Sequence, residues 1–113
     1  MFVSMHVLGQ PPVGPLKEHL ERRLTGAVKA YGSRVSGVAL RVSPSPPRGQ
    51  VTCRVALSLD AGVFTGIARG PNVYFAAEEA ISKATRAADK AVQREQGALL
   101  GLLGLAATVG DAH

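Results

Sequence analysis

VTCRVALSLDAGVFTGIAR, residues 51–69, decides the fold of this chain. Val51, Cys53, Val55, Leu57 and Leu59 alternate with Thr52, Arg54, Ala56 and Ser58. Successive side chains of an extended chain point to opposite faces, so this period of two marks a strand with one buried and one wet face. Asp60-Ala61-Gly62 supplies a short, glycine-containing hairpin turn. Residues 63–69 are then the returning strand, with Cys53 on the apolar side of the pair.

Working outward, residues 35–43 place Val38, Leu40 and Val42 on one side and Ala39, Arg41 and Ser43 on the other. The Pro-Ser-Pro-Pro-Arg-Gly run at 44–49 reads as the loop to the next strand, which makes an antiparallel meander. Further back, Leu16, Leu20, Leu24, Ala27, Val28 and Tyr31 recur at helical spacing behind Pro15, and Gly32 is a natural stop. FVSMHVL at 2–8 alternates as a first strand, and the proline-rich run at 10–15 ends it. Beyond Gly70-Pro71, Asn72 can cap a helix over 73–95. Tyr74, Ala77, Ile81, Ala84, Ala88 and Val92 make its apolar stripe. The fold class is therefore α+β in the order β-α-β-β-β-α: a four-stranded sheet with two helices packed on one face. The opposite sheet face carries Ser4, His6, Arg41, Thr52, Arg54 and Ser58, polar enough to meet water or a partner.

The 113 residues suffice for one domain, read as 1–96, followed by an apolar tail at 97–113, GALLGLLGLAATVGDAH. Four glycines in fourteen residues disfavour a stable helix there, while Leu99, Leu100, Leu102, Leu103 and Leu105 invite self-association. A monomer or a weak homo-oligomer through the tail is the expectation. The stretch is too short and glycine-interrupted to span a bilayer, so no membrane partner is expected. Five aromatic residues offer little for a large-cofactor pocket, and a single cysteine excludes a disulfide framework or a cysteine zinc cluster. His6, His19 and His113 lack metal-ligand spacing. Glu78 and Glu79 suit the positive end of a helix better than acid–base chemistry. No catalytic, cofactor or metal residue is therefore assigned, and no small-molecule substrate. The opening lacks a basic-then-apolar leader, which with the lone cysteine sets the expectation of a cytoplasmic protein.

Thirteen Lys and Arg against eight Asp and Glu give a net charge of +5 and favour a polyanionic partner. By segment the balance is +2 over 14–31, +4 over 32–72 and zero over 73–96. That zero hides a pattern. At 100° per residue, Lys83, Arg86, Lys90 and Arg94 fall within an arc of roughly 80°. Such a ridge is either a solvated helix surface, with Glu79 and Lys83 as an i,i+4 pair, or a row that tracks backbone phosphates.

Residues 15–43, PLKEHLERRLTGAVKAYGSRVSGVALRVS, and 72–90, NVYFAAEEAISKATRAADK, resemble the ribosome hibernation-promoting factors in their short form, also called ribosome-associated inhibitors or sigma-54 modulation proteins. The resemblance covers about residues 1–95. It implies a factor that binds the small ribosomal subunit and its rRNA in the mRNA/tRNA channel and silences translation under stress or in stationary phase. Lys83, Arg86 and Lys90 fall where the family faces rRNA, and Arg22 and Arg23 match its basic pair in the first helix. Tyr74 matches a family position and is equally a core anchor for the helix start. With the ridge, Arg94, Arg41 and Arg54 complete the expected rRNA contacts. The alternative is a paralogue acting as a protein–protein interaction module through the tail. A double-stranded-RNA binder fits less well, since such domains open with a helix, and a small acid–base enzyme fits least.

Overall fold

The computed structural model describes the backbone of residues 2–108 and the side chains of residues 2–97. The alternation that marks the central hairpin is realised in β3 (Gln50–Leu59) and β4 (Gly62–Gly70), with Cys53, Val55 and Leu57 fully buried. β3 also pairs antiparallel with β2 (Val35–Ser45), and β2 pairs parallel with β1 (Phe2–Val7), giving the order β1-β2-β3-β4. The parallel pairing needs a crossover, which α1 (Gly14–Val28) supplies before a 3-10 turn (Lys29–Arg34) leads into β2. In that turn Gly32 adopts φ 56°, a conformation glycine takes at little cost.

Both helices cover one face. Leu20, Leu24 and Val28 from α1 and Ala76, Ala80, Ala84 and Ala88 from α2 (Val73–Thr108) join Val38, Leu40, Val42 and Val55 in a single core. No polar or charged residue among those described is buried in it. The alanine stripe lets α2 lie low on the sheet. The closest approach is at Gly66 of β4, where a Cβ would land on the Ala80 carbonyl oxygen and 2.6 Å from the Ala84 amide nitrogen. The α2 start is capped as its sequence implies: the Phe75 amide donates to Asn72 Oδ1 at 2.9 Å.

Three boundaries or placements differ from the reading of the sequence. Pro44 and Ser45 belong to β2, opposite Val51 and Gln50, so only 46–49 form the connection. β1 ends opposite Val42, so β2 has a single neighbour at Pro44, the edge-like setting a proline tolerates. The α2 backbone does not stop at 95 but continues to Thr108. Each interior glycine costs only about 1 kcal/mol relative to alanine, and no proline follows to end the helix. Tyr74 is not a core anchor. It is 46% exposed, and its ring meets His19 edge-on at 5.0 Å between centroids. Whether the tail self-associates turns on side chains outside those described.

Candidate nucleic-acid interface

α2 presents three distinct faces. The alanine stripe seats it on the sheet. A second face turns to α1 and carries Glu78, Thr85 and Asp89. Arg23 Nε and Nη2 donate to the two Glu78 carboxylate oxygens at 2.6 and 2.8 Å, a bidentate fork. The hydrogen bond from Arg23 holds the Glu78 carboxyl below the usual glutamate range and raises Arg23 in turn. His19 lies against the same carboxylate, its Nε2 sealed from solvent 3.4 Å from Glu78 Oε1, beyond good hydrogen-bond range. The Tyr31 hydroxyl donates to Asp89 Oδ1 at 2.6 Å, with the Thr85 carbonyl oxygen 3.1 Å away. Burial, then that hydrogen bond, raises the Tyr31 phenol well above the ordinary tyrosine value.

The third face is the basic ridge. Lys83, Arg86, Lys90 and Arg94 are all exposed, and none joins an ion pair among the described residues. The Glu79–Lys83 pair that the spacing allows does not form. Lys83 instead turns its Nζ to the Ile67 carbonyl oxygen of β4 at 3.1 Å. Arg86 Nε rests on the Ser82 carbonyl at 3.3 Å. These bonds to neutral acceptors orient the side chains without consuming their charge. Asp89 borders the groove between Lys83, Arg86 and Lys90, with its carboxylate engaged by Tyr31.

The other residues expected to touch rRNA divide. Arg22 is exposed on α1 and makes no ion pair among the described residues. Its neighbour Arg23 is committed to Glu78, so the basic pair of α1 is in effect a single free cation. Arg41 and Arg54 lie on the open sheet face, away from both helices, directly opposite each other in the β2–β3 register. With Ser4 and His6 they line a shallow hollow floored by Ala39 and Ala56.

Arg34 is a clasp that the sequence did not reveal. Its guanidinium holds Asp60 at 3.0 Å, beside the β3–β4 turn, and Glu95 of α2 at 2.6 Å. The three residues are separated by 26 and 61 positions, so no local spacing could join them. Cys53 is fully buried, and burial pushes its thiol up to about 12, which fits a small core residue rather than a nucleophile. No group of three metal-ligating side chains occurs among the described residues, and no described helix is long and apolar enough to cross a membrane.

No protein-family model and no curated protein matches the sequence. Solved structures do match the fold. A ribosomal subunit interface protein from Coxiella burnetii superposes with a TM-score of 0.61 at 12% identity, over 80% of this chain and 97% of that one. The N-terminal domain of Thermus thermophilus Protein Y superposes with a TM-score of 0.63 at 10% identity, over 76% and 93%. The architecture is thus shared with a ribosomal subunit interface protein and with the Protein Y N-terminal domain, which agrees with the fold expected from the resemblance.

Proposed function

We propose that this protein is a short-form ribosome hibernation factor, a cytoplasmic, non-enzymatic protein that binds rRNA of the small ribosomal subunit. In this reading it occupies the mRNA/tRNA channel and silences translation under stress or in stationary phase. The observation that carries the reading is the ridge Lys83, Arg86, Lys90 and Arg94, four exposed cations on one helix face that join no ion pair among the described residues. It stands on a fold shared with a ribosomal subunit interface protein. The chemistry is electrostatic. Each phosphate neutralised by Lys or Arg releases counterions, which is a favourable and strongly salt-dependent source of affinity. Fixing the cations on a helix clamped at Gly66 and by Arg34 spares the ordering cost that a flexible basic segment would bear.

Sedimentation of the tagged protein through sucrose with separated ribosomal subunits, at low and at raised salt, tests this. The expected result is cofractionation with the small subunit alone, falling steeply as salt rises, and inhibition of translation in a cell-free reaction over the same range. A wild-type protein that never sediments with the small subunit would overturn it.

A further inference from the structure

Arg41 and Arg54 pose a physical problem. They are exact cross-strand partners in an antiparallel pair, where like charges directly opposite are destabilising. His6 extends the same row on the other side, opposite Arg41 in the parallel β1–β2 register. No carboxylate relieves it: the seven acidic residues among those described lie on the two helices and at Asp60 in the β3–β4 turn. The neighbouring row, Ser4, Ala39, Ala56 and Thr65, consists of small side chains, so the guanidinium groups border a hollow rather than a packed surface.

The row also leads somewhere. Arg54 faces Ile67 of the edge strand β4, and the Ile67 carbonyl accepts the hydrogen bond from Lys83 Nζ. Lys83 therefore stands at the end of the row, where the sheet edge meets α2, and Arg86 and Lys90 continue one and two turns along the helix. Strand spacing makes the row from His6 to Ile67 about 14 Å long. The rise from Lys83 to Lys90 adds about 10 Å.

We propose that the open sheet face is a phosphate-binding surface for single-stranded RNA, continuous with the α2 ridge around the β4 edge. One strand of RNA then crosses both surfaces, its backbone on Arg41 and Arg54, on Lys83 at the edge, and on Arg86 and Lys90 beyond. The single strand is favoured because a rigid duplex cannot turn a sheet edge, and because exposed Ile67, 44% accessible between the two basic surfaces, offers an unstacked base an apolar contact. The inference rests on the RNA-binding reading above and adds the path of the strand.

Titration of a labelled single-stranded RNA, long enough to span both surfaces, across a salt series tests it. Wild type should bind one strand per protein. Arg41→Gln with Arg54→Gln should weaken binding at least about tenfold and reduce the salt slope by about 0.7 for each lost contact. Arg86→Gln with Lys90→Gln should do the same to the same strand. A duplex of equal length should lose little on the sheet-face change. Unchanged affinity and slope in the Arg41/Arg54 variant, with loss in the Arg86/Lys90 variant, would overturn the sheet subsite and leave the ribosome reading standing. Two strands per wild-type protein would overturn the continuous path. Absence of wild-type RNA binding would overturn both, and sheet-face binding of polyglutamate in place of RNA would assign the face to an acidic protein and overturn the inference.

Discussion

Arg23 and Lys90 are both exposed cations on amphipathic helices, yet one is spent and the other free. Along the α1–α2 seam every charge has a protein partner: Arg23 with Glu78, Arg34 with Asp60 and Glu95, Asp89 with the Tyr31 hydroxyl. Along the outer flank of α2 and across the open sheet face, Lys90, Arg94, Arg41 and Arg54 have none among the described residues. The difference teaches that net charge per segment is a poor guide to where a polyanion binds. α2 is neutral over 73–96, yet three of its four carboxylates, Glu78, Asp89 and Glu95, are held by Arg23, the Tyr31 hydroxyl and Arg34, while the four ridge cations join no ion pair among the described residues.

The comparison breaks most severely if α2 is lifted from the sheet, since both regions depend on its seat. Gly66→Val puts side-chain atoms where the Ala80 carbonyl and Ala84 amide lie. The backbone cannot yield as a flexible side chain would, so a loss of about 3 kcal/mol is expected. For a domain of this size that lowers the melting temperature by roughly 10 °C or more. Circular dichroism melting checks it. A Gly66→Val protein as stable as wild type would mean that α2 does not cross β4 there.

A smaller effect isolates the seam. Tyr31→Phe removes the hydroxyl that Asp89 accepts from, at an expected cost of about 1–2 kcal/mol. The change also alters the alkaline limb. The phenol is raised in the folded state, so its contribution is complete below the ordinary tyrosine value near 10 and is lost as pH rises above it. Wild type should therefore lose stability above about pH 10 more steeply than Tyr31→Phe in denaturant melts.

Smaller still is Glu78→Gln. The carboxyl is lowered by Arg23, so its contribution is present above the ordinary glutamate value of 4.5 and is lost as pH falls through the folded-state value. Side chains that are 48% and 40% exposed are screened by water, which limits the pair to about 1 kcal/mol even with fork geometry. At neutral pH the variant should be marginally less stable than wild type, and the two should converge in acid. An undiminished gap at pH 3 would show that Glu78 acts by packing rather than by charge.

Much of this was legible beforehand. The period of two at 51–59, the leucine stripe of α1 and the Asn72 cap placed both strands and helices, because each is a local pattern set by neighbours in sequence. The ridge at 83–94 was legible for the same reason. Arg34 was not, nor was the commitment of Arg23, because their partners lie across the tertiary fold and ion pairing has no sequence period. Tyr74 misled because a ring at the edge of a helical stripe has the same spacing whether it enters the core or stacks on His19. The opposition of Arg41 and Arg54 depends on register, which the exact length of the 46–49 connection fixes.

If the proposed function is right, the free cations of the α2 ridge, not the paired ones, hold the small ribosomal subunit. Arg86→Glu with Lys90→Glu should abolish cosedimentation with the small ribosomal subunit while leaving the melting temperature nearly unchanged, since exposed charges contribute little to stability. The matched charge swap is Lys29→Glu with Arg48→Glu, two exposed cations off the ridge that join no ion pair among the described residues; Arg34 is unsuitable because it clasps Asp60 and Glu95. The account predicts that this second variant sediments nearly as wild type does. Equal loss in both variants would contradict it, reducing the interaction to general basic attraction, and so would full binding by the Arg86/Lys90 variant.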